Sequence, residues 1–348
     1  MSFSLREEKR GDRLLDVLTD EDAGVRIIVS RLGAELVSLA RRDARGEWVG
    51  FLYRDNDLTP PAKGWANHAT VMGYFLHRLK NERSLYRGKP IECGSHGFLR
   101  HKVWPRVDAD AAASGEQSSC RAELSYHMAR PQFTATEYPL DVSLTLSYAL
   151  RGEDLLVTFD FENHEREVTA HVGFGMHPGF ATTHPSFRAD CSGVEEPRRS
   201  IRDAATGSLD SARDDGFRFD MPAGLYRRHF SPSNFLSGET EDIRHEGGDM
   251  PFPKEKLAGS YILELLDVPE RSFSFTDLPS GRNVSLDFCE VPYVTLWSDG
   301  GPFLCVEPCW GLTDHEQQRA FEEKEGIQTI DPGGSLRRSV SVRPSLNS

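Results

Sequence analysis

The chain of 348 residues contains no run of about 20 apolar residues, the length a helix needs to cross a bilayer, so a helical membrane span is excluded and a soluble protein is expected. It is also poor in basic residues. Lys and Arg total 41 against 54 Asp and Glu, a formal net charge of -13. A surface for nucleic acid needs clustered cations to meet phosphates, so no nucleic-acid partner is expected. Cysteine is sparse and scattered: Cys93, Cys120, Cys191, Cys289, Cys305 and Cys309. Only the last two are close, and a C-x3-C spacing without a second pair does not make a zinc site; free thiols, no metal and no cofactor are the expectation. The first twenty residues are charged throughout and lack the apolar core of a signal peptide, which points to the cytoplasm. Strands do not alternate with long helical patterns, which disfavours a parallel α/β sheet.

What is present is alternation with a period of two. Val157, Phe159 and Phe161 interleave with Thr158, Asp160 and Glu162, and Val284, Leu286 and Phe288 interleave with Ser285 and Asp287. These are signatures of half-buried antiparallel strands. "SLTLSYAL" with "RGEDLLVTFDF", and "RSFSFTD" with "VSLDF" across "PSGRN", read as hairpins, and "VRIIVSRLGAELVSLARRD" reads as a third pair across a Gly-Ala corner. With 38% hydrophobic residues and 20 phenylalanines a sizeable core is available. β architectures often exceed 200 residues as one domain, so residues 1–348 are read as a single sandwich. One short C-terminal helix is predicted: Thr313 and Glu316 form a capping box, "DHEQQRAFEEKE" favours helix, and Gly326 suits a C-terminal cap. Residues 192 to 256, rich in Pro, Gly, Asp and Arg, and "DADAAASGEQSS" read as loops.

Three stretches combine strand context with unusual polar residues. "HVGFGMHPGF" sets His177 against a Pro-Gly corner, where an imidazole could give or take a proton near neutral pH or simply be a satisfied histidine at a strand end. "PFLCVEPCWGLTD" places Glu307 among Phe303, Leu304, Val306 and Trp310. Burying that carboxylate unpaired would cost several kcal/mol, so it is either compensated by a structural partner or serves as a general base. Trp310 could stack on a ring or belong to the core. "YFLHRLKNERSLYRGKPIECGSHGFLRHKVW" holds His77, Arg78, Asn81 and His96; Arg78 carries a fixed fork of donors suited to a hydroxylated or anionic ligand.

Taken in order, "GAELVSL", "HRLKNERSLYRGKPI" leading into "HGFLR", "HPGF", "CVEPCWGLTD" and "IQTIDPGGSLRRSVSV" resemble the aldose 1-epimerase (mutarotase) family, galactose mutarotase-like, over roughly residues 25 to 343. The resemblance implies an all-β fold, a large antiparallel β-sandwich (supersandwich), binding a small-molecule sugar in a shallow cleft. It implies His177 as general acid and Glu307 as general base, opposite one another, with Arg78 and His96, and further Asn81 and Trp310, as substrate-binding residues. The expected reaction is interconversion of α and β anomers, which moves only protons. Glu-Pro-Cys stands where Glu-Pro-Trp is frequent in this branch, and no counterpart is assigned to the aspartate that grips sugar hydroxyls in galactose mutarotases. Two other readings stay open: a non-catalytic carbohydrate-binding protein, and a mutarotase for a phosphorylated or otherwise anionic sugar, for which Arg78, Lys80 and Arg83 could supply a cationic end.

Overall fold

The computed structural model describes residues 2–107, 122–183, 216–250 and 260–347. The alternating segments form the strands their period demands. Val142–Arg151 pairs with Asp154–Asn163, Ser272–Asp277 with Arg282–Asp287, and Val25–Ser30 with Glu35–Arg42, all antiparallel. In the first hairpin Gly152 takes the left-handed conformation, φ 61°, that a two-residue turn requires and a side chain resists.

Two large sheets make the body. One runs Gly248–Asp249, Phe217–Met221, Ser272–Asp277, Arg282–Asp287, Ser335–Leu346, Asp154–Asn163, Val142–Arg151, Ala122–Met128 and Arg106–Val107. The other runs Thr240–His245, Gly224–His229, Tyr261–Asp267, Tyr293–Trp297, Phe303–Trp310, Phe174–Ala181 and Ala69–Met72. Their facing side chains interdigitate. Phe174 packs against Phe159 and Phe161 with ring centroids 5.2 and 4.8 Å apart, and stacks on Trp310 at 4.9 Å. Each such ring contributes about 1.5–3 kcal/mol on burial, so this seam is a principal source of stability. A third sheet, from Phe3–Arg10 through Trp48–Gly50, adds Leu36 and Leu39 to the same core.

Two expectations are corrected. The predicted C-terminal helix is only a 3-10 turn, Phe321–Glu323. Tertiary contacts overrule local propensity there: Thr313 donates its hydroxyl to the Asn234 and Arg78 carbonyls instead of capping a helix, and Asp314 is bound to Lys80, Gln318 and Lys324. Phe321 is fully buried against Phe75 and Tyr86. Within the stretch read as loop, residues 216–250 form strands, Phe217–Met221 alternating in burial as "FRFDM" does in hydrophobicity. Residues 192–215 and 251–256, and "DADAAASGEQSS", lie outside the described residues.

Candidate active site

Strands Phe174–Ala181 and Phe303–Trp310 are buried on both faces, because one face meets the opposing sheet and the other carries the site. Met176, Pro178 and Phe180 point into the core with Pro308. The alternation therefore turns Gly175, His177 and Gly179 outward, with Cys305, Glu307 and Cys309. Gly175 pairs with Cys309 and Gly179 with Cys305, which sets His177 across from Glu307; His177 Nε2 lies 3.3 Å from Glu307 Oε1. His177 sits inside its strand rather than at a strand end, and the "HPGF" motif turns no corner. Pro178 and Pro308, neither able to donate to a ladder, occupy the neighbouring inward positions.

The two outward glycines are required by close approach. A Cβ on Gly175 would lie 2.3 Å from the Pro308 carbonyl oxygen, and one on Gly179 would lie 2.4 Å from the indole of Trp65. Trp65 uses that space to stack on His177, with centroids 5.2 Å apart and planes inclined by 27°.

A second wall comes from residues 73–100. His77 Nε2 lies 3.1 Å from Glu307 Oε2, so the carboxylate, 1% exposed, is held between two imidazoles. His77 and His96 both adopt positive φ, 51° and 65°, and the His96 amide donates to the His77 carbonyl at 2.6 Å. Left-handed backbone at residues with side chains costs of the order of 1–3 kcal/mol each and needs surrounding structure to hold it. Here Gly97, φ 80°, lies so close to Gly73 that a Cβ would come within 2.6 Å of its carbonyl oxygen. The His96 ring meets that of His177 edge-on at 5.0 Å.

These walls enclose a cleft of about 240 Å³. Glu307 is the sole carboxylate among its described lining residues, and Arg78 and Arg100 are the cations. Burial lowers the pKa of His177, and the nearby Glu307 carboxylate opposes the shift. Burial also holds His96 well below the usual imidazole range, with the charges of neighbouring histidines and of Arg100 and Arg78 adding to the effect. His177 Nδ1 is buried without a hydrogen-bond partner among the described residues.

Of the residues singled out from sequence, His177, Glu307, Arg78 and His96 line this cleft. Two do not. Trp310, 1% exposed, stacks on Phe174 and donates its Nε1 to the Glu290 carbonyl at 3.0 Å; three residues beyond Glu307 along a strand, it necessarily faces the core. Asn81 is exposed in the 3-10 turn Lys80–Glu82, outside the cleft lining. The acid and base candidates are cross-strand neighbours on adjacent strands.

The aromatic walls are instead Trp65 and Trp297. Trp297 ends the strand Tyr293–Trp297, an apolar run broken only by Thr295, whereas Trp65 lies in the irregular "PAKGWANH", where no period marks it. Asn67, Ser95, Asn234 and Ser260 offer polar groups to the cleft. His77 was visible in sequence as a polar residue at a strand context, but only the fold brings it to Glu307. Among the described residues, His77, Glu307 and Cys309 form a group whose ligand atoms lie within 4.8 Å of one another. Cys309 is a poor metal ligand as placed, since burial and the Glu307 charge both push its thiol pKa well up and so disfavour the thiolate.

Comparison with known proteins agrees with this fold. A family model described as aldose 1-epimerase matches residues 16–196. The chromosomal LacX protein of Lactococcus lactis subsp. lactis is 21% identical over 326 residues, covering 89% of this chain and 93% of that one. A galactose mutarotase related enzyme from Lactobacillus acidophilus superposes with a TM-score of 0.72 at 21% identity, covering 94% of this chain and 97% of the other. A galactose mutarotase-like protein from Lactobacillus casei gives 0.69 at 19%, covering 98% and 100%.

Proposed function

The chain belongs to the aldose 1-epimerase family, and from that premise we propose that it catalyses interconversion of the α and β anomers of an aldose, with Glu307 as base and His177 as acid. The observation that carries the reading is the pairing of these two groups, 3.3 Å apart on adjacent strands, in the floor of a cleft whose other polar groups are hydrogen-bond donors and acceptors.

Anomer exchange opens the hemiacetal, rotates about C1–C2 and closes on the other face. The base removes the proton from the C1 hydroxyl while the acid protonates the ring oxygen, and the roles reverse on closure. Both oxygens are bonded to C1, so the two protein groups must stand side by side, which is how the strands present them. His77 fixes the second carboxylate oxygen and leaves Oε1 directed toward His177. Burial pulls the His177 pKa down, which makes its imidazolium a readier proton donor, and the neighbouring Glu307 carboxylate opposes that shift. Trp65 and Trp297 supply apolar faces for the sugar ring.

The test is NMR exchange between anomers over a panel of aldoses. Glu307→Gln and His177→Asn should each lose at least about a hundredfold in rate while remaining folded, the usual contribution of positioned acid-base catalysis being 10²–10⁴. Sugar binding without accelerated exchange would instead identify a non-catalytic carbohydrate-binding protein.

A further inference from the structure

Arg78 and Arg100 stand out among the cleft residues because neither guanidinium has a carboxylate or carbonyl partner among the described residues. Several arginines elsewhere are ion-paired: Arg31 with Asp16, Arg41 with Glu153, Arg227 with Asp242, Arg343 with Asp154. In a protein with 54 acidic residues, two arginines in one concavity, unpaired among the described residues and with Glu307 as the lone carboxylate among its described lining, are a local reversal of charge. Such a reversal draws in anions that the net charge would repel. We propose that Arg78 and Arg100 form an anion-binding end of the cleft, and that the substrate is an aldose carrying a phosphate or carboxylate at the end of its carbon chain remote from C1. This rests on the mutarotase reading and specifies its substrate class.

Both arginines are set on fixed backbone. The Arg78 carbonyl accepts from the Asp314 amide at 3.1 Å and from the Thr313 hydroxyl at 3.4 Å. Arg100 lies in the 3-10 turn Leu99–His101, tight against Gly33, where a Cβ would come within 3.2 Å of the Arg100 backbone. Both line the same cleft as His96. Lys80 and Arg83, the other cations considered from sequence, do not line the cleft; Lys80 donates to the Glu316 carbonyl.

The experiment compares anomer exchange of glucose and galactose, their 6-phosphates and their uronic acids. An anionic sugar should show kcat/KM at least about tenfold above its neutral parent, as charge-assisted hydrogen bonds from arginine imply. Arg100→Gln and Arg78→Gln should each cut that advantage by about tenfold or more, and Arg100→Lys should retain part of it. Preference for the phosphates or for the uronates identifies which anion is bound, and either supports the proposal. Neutral sugars exchanged as well as anionic ones would overturn it while leaving the mutarotase reading intact. If no sugar exchanges, calorimetric binding of hexose 6-phosphates and uronates to the full chain decides: binding lost in a folded Arg100→Gln supports the anion site alone, and absence of binding overturns it.

Discussion

Gly179→Ala tests whether the packing of Trp65 organises the cleft. The new methyl carbon would sit 2.4 and 2.9 Å from two indole carbons and 3.4 Å from Cys305 Sγ. Ordinary carbon contacts are about 3.5–4.0 Å, so the indole must withdraw by about 1 Å or more. Withdrawal breaks the stack on His177 at 5.2 Å and disturbs contacts with Phe303 at 5.0 Å and Trp297 at 6.1 Å. Aromatic pairs are worth about 0.5–1.5 kcal/mol each and overpacking costs about 1–3 kcal/mol, so the expected destabilisation is about 1–3 kcal/mol. The change should be accompanied by a raised KM, because a cleft wall has moved. Urea unfolding and anomer exchange would be measured for Gly179→Ala, Trp65→Ala and the double variant. Adding Gly179→Ala to Trp65→Ala should cost less than about 0.5 kcal/mol, since the clash has gone. Additive costs, or a single Gly179→Ala variant with unchanged stability and KM, would refute the argument.

Removing one of the two imidazoles that hold Glu307, His77→Gln, deletes a hydrogen bond to a charged group worth about 1.5–3 kcal/mol; kcat in the exchange assay should fall by about tenfold or more. Asp314→Asn leaves the ammonium of Lys324, 2.7 Å away and buried, without its counter-charge, so a loss of about 3–5 kcal/mol should appear in denaturant unfolding. The pKa of His96 is lower in the fold than in the unfolded chain, whose imidazole titrates near 6.5. Below about pH 6.5 the unfolded state therefore binds the proton more readily; the stability His96 permits is present above that pH and lost as pH falls toward the folded pKa. His96→Gln should flatten the decline in unfolding free energy between pH 7 and pH 5, and an unchanged slope would count against burial as the cause.

The fold was legible wherever one strand face is apolar and the other polar. "DLLVTFDF" and "RNVSLDF" meet that condition, and so does "FRFDM", which the surrounding Pro, Gly and Arg obscured. The C-terminal helix was misread for the converse reason. Its local signals are genuine, but Thr313, Asp314, Phe321 and Lys324 are each engaged by distant residues, and no window of a few residues contains that competition.

The two central strands explain what could be seen of the site. Both are buried on each face, so their outward residues are marked by chemistry rather than by period: His177 and Glu307 are polar interruptions of apolar runs, and that alone made them candidates. Trp310 is apolar within the same run, so nothing distinguished it from a cleft residue except parity along the strand. Counting outward from Glu307 turns it inward, a deduction open to sequence once the strand is continued through Pro308. Arg100 and Trp65 lie on irregular segments to which no period applies, and their place beside His177 and His96 depends on non-local close approaches such as Gly33 to Arg100 and Gly179 to Trp65. A glycine that admits a distant side chain carries that information in what it lacks, which becomes legible only when its neighbour across the fold is known.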